Sequence, residues 1–424
     1  MLLKTSRSET AGRVRIPGSK SHTIRALFIA SLARGKSEIH NPLISSDAIS
    51  AVQVCRSLGA DIREEAGRFM VQGFDGNPSV SEDVINVGNS GTTINFALTA
   101  SALGTSSYVF TGDHQIRRRP VGPLVDALNN LGAEVFSTRS NGLPPIVVRG
   151  RVKGGSTPLD GITSQYLSSL LIGMPLAERD TTICLTRLYE APYAEMTLWW
   201  LDKQGIRYEN NNLKTIHISG GQSYKPFNMS IPGDFSSATF FAVLAAISGR
   251  EFTLENLDMS DTQGDKQIIG LLGDMGAKVE YLEGAVKIKG EKLKGMEIDM
   301  NSIPDALPAM AVAGCFAEGE TKLVNVPQAR LKETDRISVM HEELSKLGAD
   351  IEELPDGLVI RQSKLRGCRV QGHYDHRIVM ALAIAGLNID GETIIDGAEA
   401  VNVTFPEFVS LICSCGGKAE MVES

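Results

Sequence analysis

The sequence predicts a mixed α/β protein built from one repeated supersecondary unit, and three observations carry that prediction. A phrase reading Leu-Gly-Ala, or close to it, recurs at Leu58-Gly59-Ala60, Leu131-Gly132-Ala133, Gln204-Gly205-Ile206, Met275-Gly276-Ala277, Leu347-Gly348-Ala349 and Cys415-Gly416-Gly417, with starts 73, 73, 71, 72 and 68 residues apart. Before the phrase lies an apolar stripe at helical spacing, such as Val121, Leu124, Val125 and Leu128, or Ile337, Met340, Leu344 and Leu347. After most copies comes a short alternating strand, a polar turn and a second strand, as in Asp61-Ile62-Arg63 leading to Phe69-Met70-Val71. Six copies of a unit of helices packed on a sheet follow from this.

Each element has a local cause. Glycine just past a helix accepts the positive φ that closes the last turn, and the next residue starts the return strand. At 424 residues the chain exceeds what one core sustains, so two domains of roughly 200 residues are expected. A hydrophobic content of 42% and a charged content of 22% are those of an ordinary soluble protein. No run approaches the roughly 20 apolar residues of a membrane helix, and Met1 to Gly18 contains no secretory h-region. A cytoplasmic location away from membranes is expected. The six cysteines, Cys55, Cys184, Cys315, Cys368, Cys413 and Cys415, lie mostly in apolar surroundings without C-x-x-C pairs, so they read as reduced structural thiols with no metal. A net charge of −8 speaks against nucleic acid, whose phosphates require a basic face.

Basic residues nevertheless gather at the starts of apolar helices. In Pro17-Gly18-Ser19-Lys20-Ser21-His22-Thr23-Ile24-Arg25, Pro and Gly end a strand, Ser19 or Ser21 caps a helix, and Lys20 and Arg25 flank its N-terminus. Free N–H groups and the helix dipole favour an anion there. The order Ser-Lys-Ser is not that of a Walker loop. Similar helix starts are expected at Gly88-Asn89-Ser90-Gly91-Thr92-Thr93 before Ile94 to Ala102, at Thr163-Ser164-Gln165 before Tyr166 to Ile172, and at Gly233-Asp234-Phe235-Ser236-Ser237 before Ala238 to Ile247. Carboxylates form a second constellation: Asp305 opens an apolar helix, and Lys332-Glu333-Thr334-Asp335-Arg336 packs two cations and two anions together. On a helix, Lys332 and Arg336 would share a face and bracket a doubly charged ligand beside Glu333. Asp375-His376-Arg377 opens another apolar run.

Pro17-Gly18-Ser19-Lys20-Ser21 with Arg25, Gly88-Asn89-Ser90-Gly91-Thr92, Arg119-Pro120, Ser164-Gln165, Pro192-Tyr193, Pro304-Asp305-Ala306, Lys332-Glu333-Thr334-Asp335-Arg336 and Asp375-His376-Arg377, taken in order, resemble the motif series of the 5-enolpyruvylshikimate-3-phosphate synthase (3-phosphoshikimate 1-carboxyvinyltransferase) family from about residue 13 to 408. The resemblance implies the two-domain enolpyruvyl transferase fold with six βαβαββ units, three per domain, and a ligand cleft between the domains. The first domain would combine 1–18 with 233–424 and the second would span 19–232.

It further implies transfer of the enolpyruvyl group of phosphoenolpyruvate to the 5-hydroxyl of shikimate 3-phosphate, releasing phosphate, by a non-covalent tetrahedral addition and elimination. By matched position, Lys20, Ser21, Arg25, Thr163, Ser164, Gln165, Asp305, Gln328 and Lys332 would hold shikimate 3-phosphate. Lys20, Asn89, Gly91, Arg119, Gln165, Arg336 and Arg377 would hold phosphoenolpyruvate. Asp305 would be the base for the 5-hydroxyl, with Glu333 and Lys20 both candidates for proton traffic at the methylene carbon. No cofactor or metal is implied, and a monomer is expected. Gly91, where Ala occurs in some relatives, leaves the room the herbicide glyphosate would need, so sensitivity to it is expected.

Four positions depart from the family pattern: Asn95 stands where Arg is usual, Glu190 where a substrate-contacting Ser often precedes Pro-Tyr, Gln328 where Asn is usual and Val403 where Lys is common. The change at 190 and the loss of the Lys at 403 would make the pocket less positive. Two alternatives remain at this stage. The UDP-N-acetylglucosamine enolpyruvyl transferases share the fold but typically carry a Cys in the loop that here reads Gly112-Asp113-His114-Gln115-Ile116-Arg117. A non-catalytic module that binds phosphometabolites is the other.

Overall fold

The computed structural model describes residues 1–423. Twelve α-helices are present among them, two per repeat: α1 Lys20–Leu32, α2 Ser46–Ser57, α3 Gly91–Ser101, α4 Gly122–Asn130, α5 Ser164–Gly173, α6 Ala191–Gln204, α7 Phe235–Ser248, α8 Gln267–Asp274, α9 Leu307–Phe316, α10 Arg336–Lys346, α11 His376–Gly386 and α12 Phe408–Ser414. The strands form six four-stranded sheets. Ile85–Asn86 runs parallel to Ser107–Thr111, which is antiparallel to Ile146–Arg149, itself antiparallel to Glu134–Ser137. All six sheets share this order of one parallel and two antiparallel pairings.

The glycine of the recurring phrase has positive φ in every copy, for instance 111° at Gly59 and 116° at Gly276. A side chain there would be strained, so the turn from helix to strand recurs with its glycine. In the first phrase, Gly59 and Ala60 return hydrogen bonds to the end of α2, and the strand Asp61–Glu65 begins directly afterwards.

The chain divides into two compact units, Gly18–Ile231 and a second made of Met1–Pro17 with the chain from Pro232 onward. Each has its own apolar core. The inserted unit centres on α1, α3 and α5, and the other on α7, α9 and α11. Those six helices are buried on nearly every face, as in α1 from His22 to Leu32 and α7 from Phe235 to Ala246. Helices apolar all round belong inside a core, and their partners in each repeat, such as α4 and α10, bury one face only. Asn95 of α3 bonds Gln165 of α5, and one turn on Thr99 meets Ser169, so these two helices run side by side in the same direction.

Three strands pair far from their place in the sequence. Gly12–Arg15 lies parallel to Glu251–Glu255, with Thr253 opposite Arg13. Asn228–Ser230 lies parallel to Lys36–His40. Leu2–Ser6 is antiparallel to both Glu392–Asp396 and Lys418–Val422.

The cysteines depart from expectation. Cys55, Cys315 and Cys415 are buried, but Cys184 and Cys413 are exposed and Cys368 is intermediate. Strand and helix positions at the sheet margins alternate between core and solvent, and Cys184 falls on the outward phase of Thr181–Leu188. No helix among the described residues is long and apolar enough to cross a membrane.

Candidate active site

In the inserted unit, the buried helices begin at the segments singled out from the sequence. Ser19 caps α1, its Oγ accepting from the His22 N–H at 3.5 Å. Ser90 caps α3 and Thr163 caps α5, each accepting at 3.4 Å. α3 and α5 start at Gly91 and Ser164, earlier than the apolar runs alone suggested. The polar residues after each cap belong to the first turn, where N–H groups have no intrahelical acceptor.

Lys20 Nζ lies 3.2 Å from the buried carboxylate of Asp47. Arg25 is buried against α5 and α6: Nε donates to Thr197 Oγ1 (2.8 Å), Nη2 to Ser168 Oγ (3.1 Å) and the Tyr193 carbonyl (2.9 Å), and Nη1 to the Ser21 carbonyl (3.0 Å). Burial lowers its guanidinium to about 9, still cationic at neutral pH. The Arg119 guanidinium packs directly over Gly91, where an added Cβ would collide with Nη1 and would lie 3.6 Å from Gln165 Oε1.

Asn95 shows how one departure is accommodated. Its Nδ2 donates to the Gly91 carbonyl at 2.9 Å and to Gln165 Oε1 at 2.8 Å. That engages the amide oxygen of Gln165 and leaves its NH₂ group outside this bond. Asn89 bonds to other partners: its Nδ2 donates to Asp113 Oδ2 at 2.6 Å and to Gln115 Oε1, while its buried Oδ1 has no partner.

The second departure has moved into the site. Glu190 is buried and left-handed at φ 58°. Its Oε2 accepts from the Ser164 N–H (3.3 Å), Ser164 Oγ (2.9 Å) and Thr163 Oγ1 (3.3 Å). A carboxylate of the chain thus lies on the N-terminus of α5, where the sequence predicted a site for an anion.

In the other unit, three cations meet three carboxylates. Arg336 donates through Nη1 to Asp305 Oδ1 (2.8 Å), through Nη2 to Glu333 Oε2 (2.6 Å) and through Nε to Asp375 Oδ2 (2.8 Å). Arg377 Nη2 meets Asp305 Oδ2 at 2.9 Å, and Lys332 Nζ lies 3.9 Å from Asp305 Oδ1. Burial alone would pull the Arg336 guanidinium down, but Asp375, Glu333 and Asp305 together hold it above its ordinary value. Asp265, from the turn before α8, is buried nearby and accepts from Ser236 Oγ. Burial, followed by the charge of Asp305, raises its carboxyl to about 6, against the opposing pull of Arg377.

The helical face expected for Lys332 and Arg336 is corrected. Pro327–Leu331 is a 3₁₀ turn, Lys332 is extended, and α10 begins only at Arg336. Asp335 caps that helix by accepting from the Ser338 N–H at 3.1 Å, which obliges it to sit outside the helical conformation. Lys332 and Arg336 still converge, on Asp305 rather than along a helix face. Gln328 donates to the Asn301 carbonyl at 3.0 Å, and its buried Oε1 has no partner. Asp375, Asp47 and Asp265 were not among the predicted site residues; their partners are remote in sequence, and only the adjacency of Asp375 to His376-Arg377 hinted at a role.

Buried cations, helix N-termini and an acid held between two arginines define an enzyme for anionic substrates, of the enolpyruvyl transferase fold. Two solved structures of EPSP synthase from Acinetobacter baumannii match over 100% of both chains, with TM-scores of 0.84 and 0.83 at 28% and 27% identity. The family described as EPSP synthase (3-phosphoshikimate 1-carboxyvinyltransferase) matches residues 4–412. Relatives named 3-phosphoshikimate 1-carboxyvinyltransferase include one from Acetivibrio thermocellus, 66% identical over 423 residues and 100% of both chains. Another, from Methanocella arvoryzae, is 44% identical over 425 residues, 99% of this chain and 100% of its own. The chain belongs to the EPSP synthase family.

Proposed function

We propose that the protein transfers the enolpyruvyl group of phosphoenolpyruvate to the 5-hydroxyl of shikimate 3-phosphate with release of phosphate, a step of aromatic amino acid biosynthesis, acting as a monomer in the cytoplasm. The observation that carries the residue assignment is Asp305, a carboxylate gripped at 2.8 and 2.9 Å by Arg336 and Arg377. A carboxylate so placed takes the acceptor hydroxyl proton while the arginines hold the anionic donor beside it.

Lys20, Ser21, Arg25, Thr163, Ser164, Gln165, Gln328 and Lys332 hold shikimate 3-phosphate. Lys20, Asn89, Gly91, Arg119, Gln165, Arg336 and Arg377 hold phosphoenolpyruvate. The orphaned Gln328 Oε1 suits an acceptor hydroxyl, which can supply the missing donor. Attack of the 5-hydroxyl on C2 of phosphoenolpyruvate, with a proton delivered to C3, gives a tetrahedral adduct. Removal of a C3 proton with departure of phosphate restores the alkene. Glu333 or Lys20 carries the C3 proton.

Phosphate release is measured with phosphoenolpyruvate and either shikimate 3-phosphate or UDP-N-acetylglucosamine as acceptor. Release that needs shikimate 3-phosphate and is lost in Asp305→Ala supports the reading. Release with the sugar nucleotide, or binding of both ligands without release, overturns it.

A further inference from the structure

We propose that Glu190 is an internal competitor for the phosphate group of the acceptor, and so sets how tightly this enzyme holds its acceptor. The inference rests on the assignment of Thr163, Ser164 and Gln165 to shikimate 3-phosphate.

The N-terminus of α5 offers an anion three donors from two residues: the Ser164 N–H and the hydroxyls of Thr163 and Ser164. All three point at one oxygen, Glu190 Oε2, at 3.3, 3.3 and 2.9 Å. A phosphate oxygen would use the same donors, because hydroxyls and helix N–H groups recognise charge and geometry rather than a particular acid. The carboxylate is only 2% exposed, so it does not swing in from solvent; it is part of the packed site.

Glu190 is left-handed at φ 58° and ψ 40°, a conformation disfavoured for any residue with a side chain. The residue makes no side-chain cap of α6. The same left-handed turn recurs at Asn41, Asn256, Asn325 and Gly397 after the corresponding strands of other repeats, so the backbone belongs to the scaffold and it is the carboxylate carried there that reaches across to α5. Tyr166, in the first turn of α5, feels the same charge: burial first, then the carboxylates of Asp160 and Glu190, push its phenol above its ordinary range.

An incoming phosphate must therefore displace Oε2 from its three donors, or bind beside a like charge. Either way the acceptor loses affinity relative to a site whose donors are open, and phosphoenolpyruvate, assigned to Gly91, Arg119, Arg336 and Arg377, does not.

The test compares the wild-type enzyme with Glu190→Ser and Glu190→Gln, varying shikimate 3-phosphate at saturating phosphoenolpyruvate and then the reverse. Removing the charge is expected to lower the acceptor KM about tenfold, the equivalent of one displaced charged hydrogen bond. The phosphoenolpyruvate KM should move far less, a split that a loosened fold would not give. An acceptor KM that is unchanged or raised in both variants overturns the proposal. A measurement needing no variant is the ratio of wild-type dissociation constants for shikimate and shikimate 3-phosphate. A ratio below about tenfold supports an occupied phosphate site, and a much larger one overturns it. If the wild-type enzyme releases no phosphate with either acceptor, the failure lies with the proposed reaction and not with Glu190.

Discussion

Arg336 and Asp375 form a two-pronged ion pair out of contact with solvent, with Nε and Nη2 of the arginine 2.8 and 3.2 Å from the two carboxylate oxygens. Asp375 also caps α11, accepting from the Arg377 N–H at 2.9 Å. The pair ties the start of α10 to the start of α11, and the two arginines that grip Asp305 stand at those starts.

Removing Arg336 would strand Asp305, Glu333 and Asp375 without their shared counter-ion. Breaking such a buried pair from one side costs about 3–5 kcal/mol. Arg336→Ala is therefore expected to lower unfolding stability by that amount in urea titrations and to abolish phosphate release. Arg336→Lys should recover part of the stability but little activity, since an ammonium cannot serve three carboxylates from a planar fork.

Asp265 gives the pH dependence of stability a defined sign. Its folded carboxyl titrates near 6, raised from 3.8, so the folded chain holds a proton that the unfolded chain has released. The stability contributed by that proton is full below about pH 4 and is lost as pH rises through about 6, on the order of 2–3 kcal/mol in all. Asp265→Asn, which keeps an acceptor for Ser236, should raise the melting temperature at pH 8 and leave it nearly unchanged at pH 4. Equal effects at both values would show that Asp265 is not the titrating group.

At Gly91 the space for a methyl group is already filled by the Arg119 guanidinium. Gly91→Ala must push the end of that flexible side chain aside, a shift that costs little stability but moves the Arg119 cation. The expected outcome is a rise of about tenfold or more in the phosphoenolpyruvate KM. The wild-type enzyme should be inhibited by millimolar glyphosate and the variant much less so; activity of the wild type unaffected by the herbicide would count against this expectation.

Thiol labelling should separate the cysteines into classes. Burial pushes Cys55 and Cys315 up to about 12, so neither forms thiolate in the folded chain at neutral pH. Cys184 and Cys413 are exposed and should account for the fast-reacting thiols toward Ellman's reagent. Loss of the fast phase in a Cys184→Ser, Cys413→Ser double variant checks the assignment.

The six-unit architecture was legible because each turn from helix to strand needs a positive φ, and glycine leaves a visible mark in the sequence wherever that need recurs. The capped helix starts were legible as segments, because a cap acts within three positions of itself, but the choice of Ser19 over Ser21 and of Ser90 within its segment came only with the fold. What could not be read was the pairing of charges. Arg336 finds Asp305 and Asp375 only once the fold has brought three separate helix starts together, and Lys20 finds Asp47 the same way. The Lys332-to-Arg336 helix was misread because Asp335 competes for that stretch as a cap, a contest the charge spacing does not reveal. Glu190 was visible as an odd residue, but not that its carboxylate would reach back to α5.

The three strands that pair out of sequence order also prescribe an order of assembly. Leu2–Ser6 and Gly12–Arg15 leave the ribosome long before the strands they join, which are Glu392–Asp396 with Lys418–Val422, and Glu251–Glu255. Through most of synthesis these first seventeen residues have nothing to pair with. The insert Gly18–Ile231 holds all the strands of its own three sheets, including Asn228–Ser230 at its end, and can close while the remainder is still being made. The nascent chain therefore carries an open leading strand past a finished unit, the situation in which unpaired edges associate wrongly.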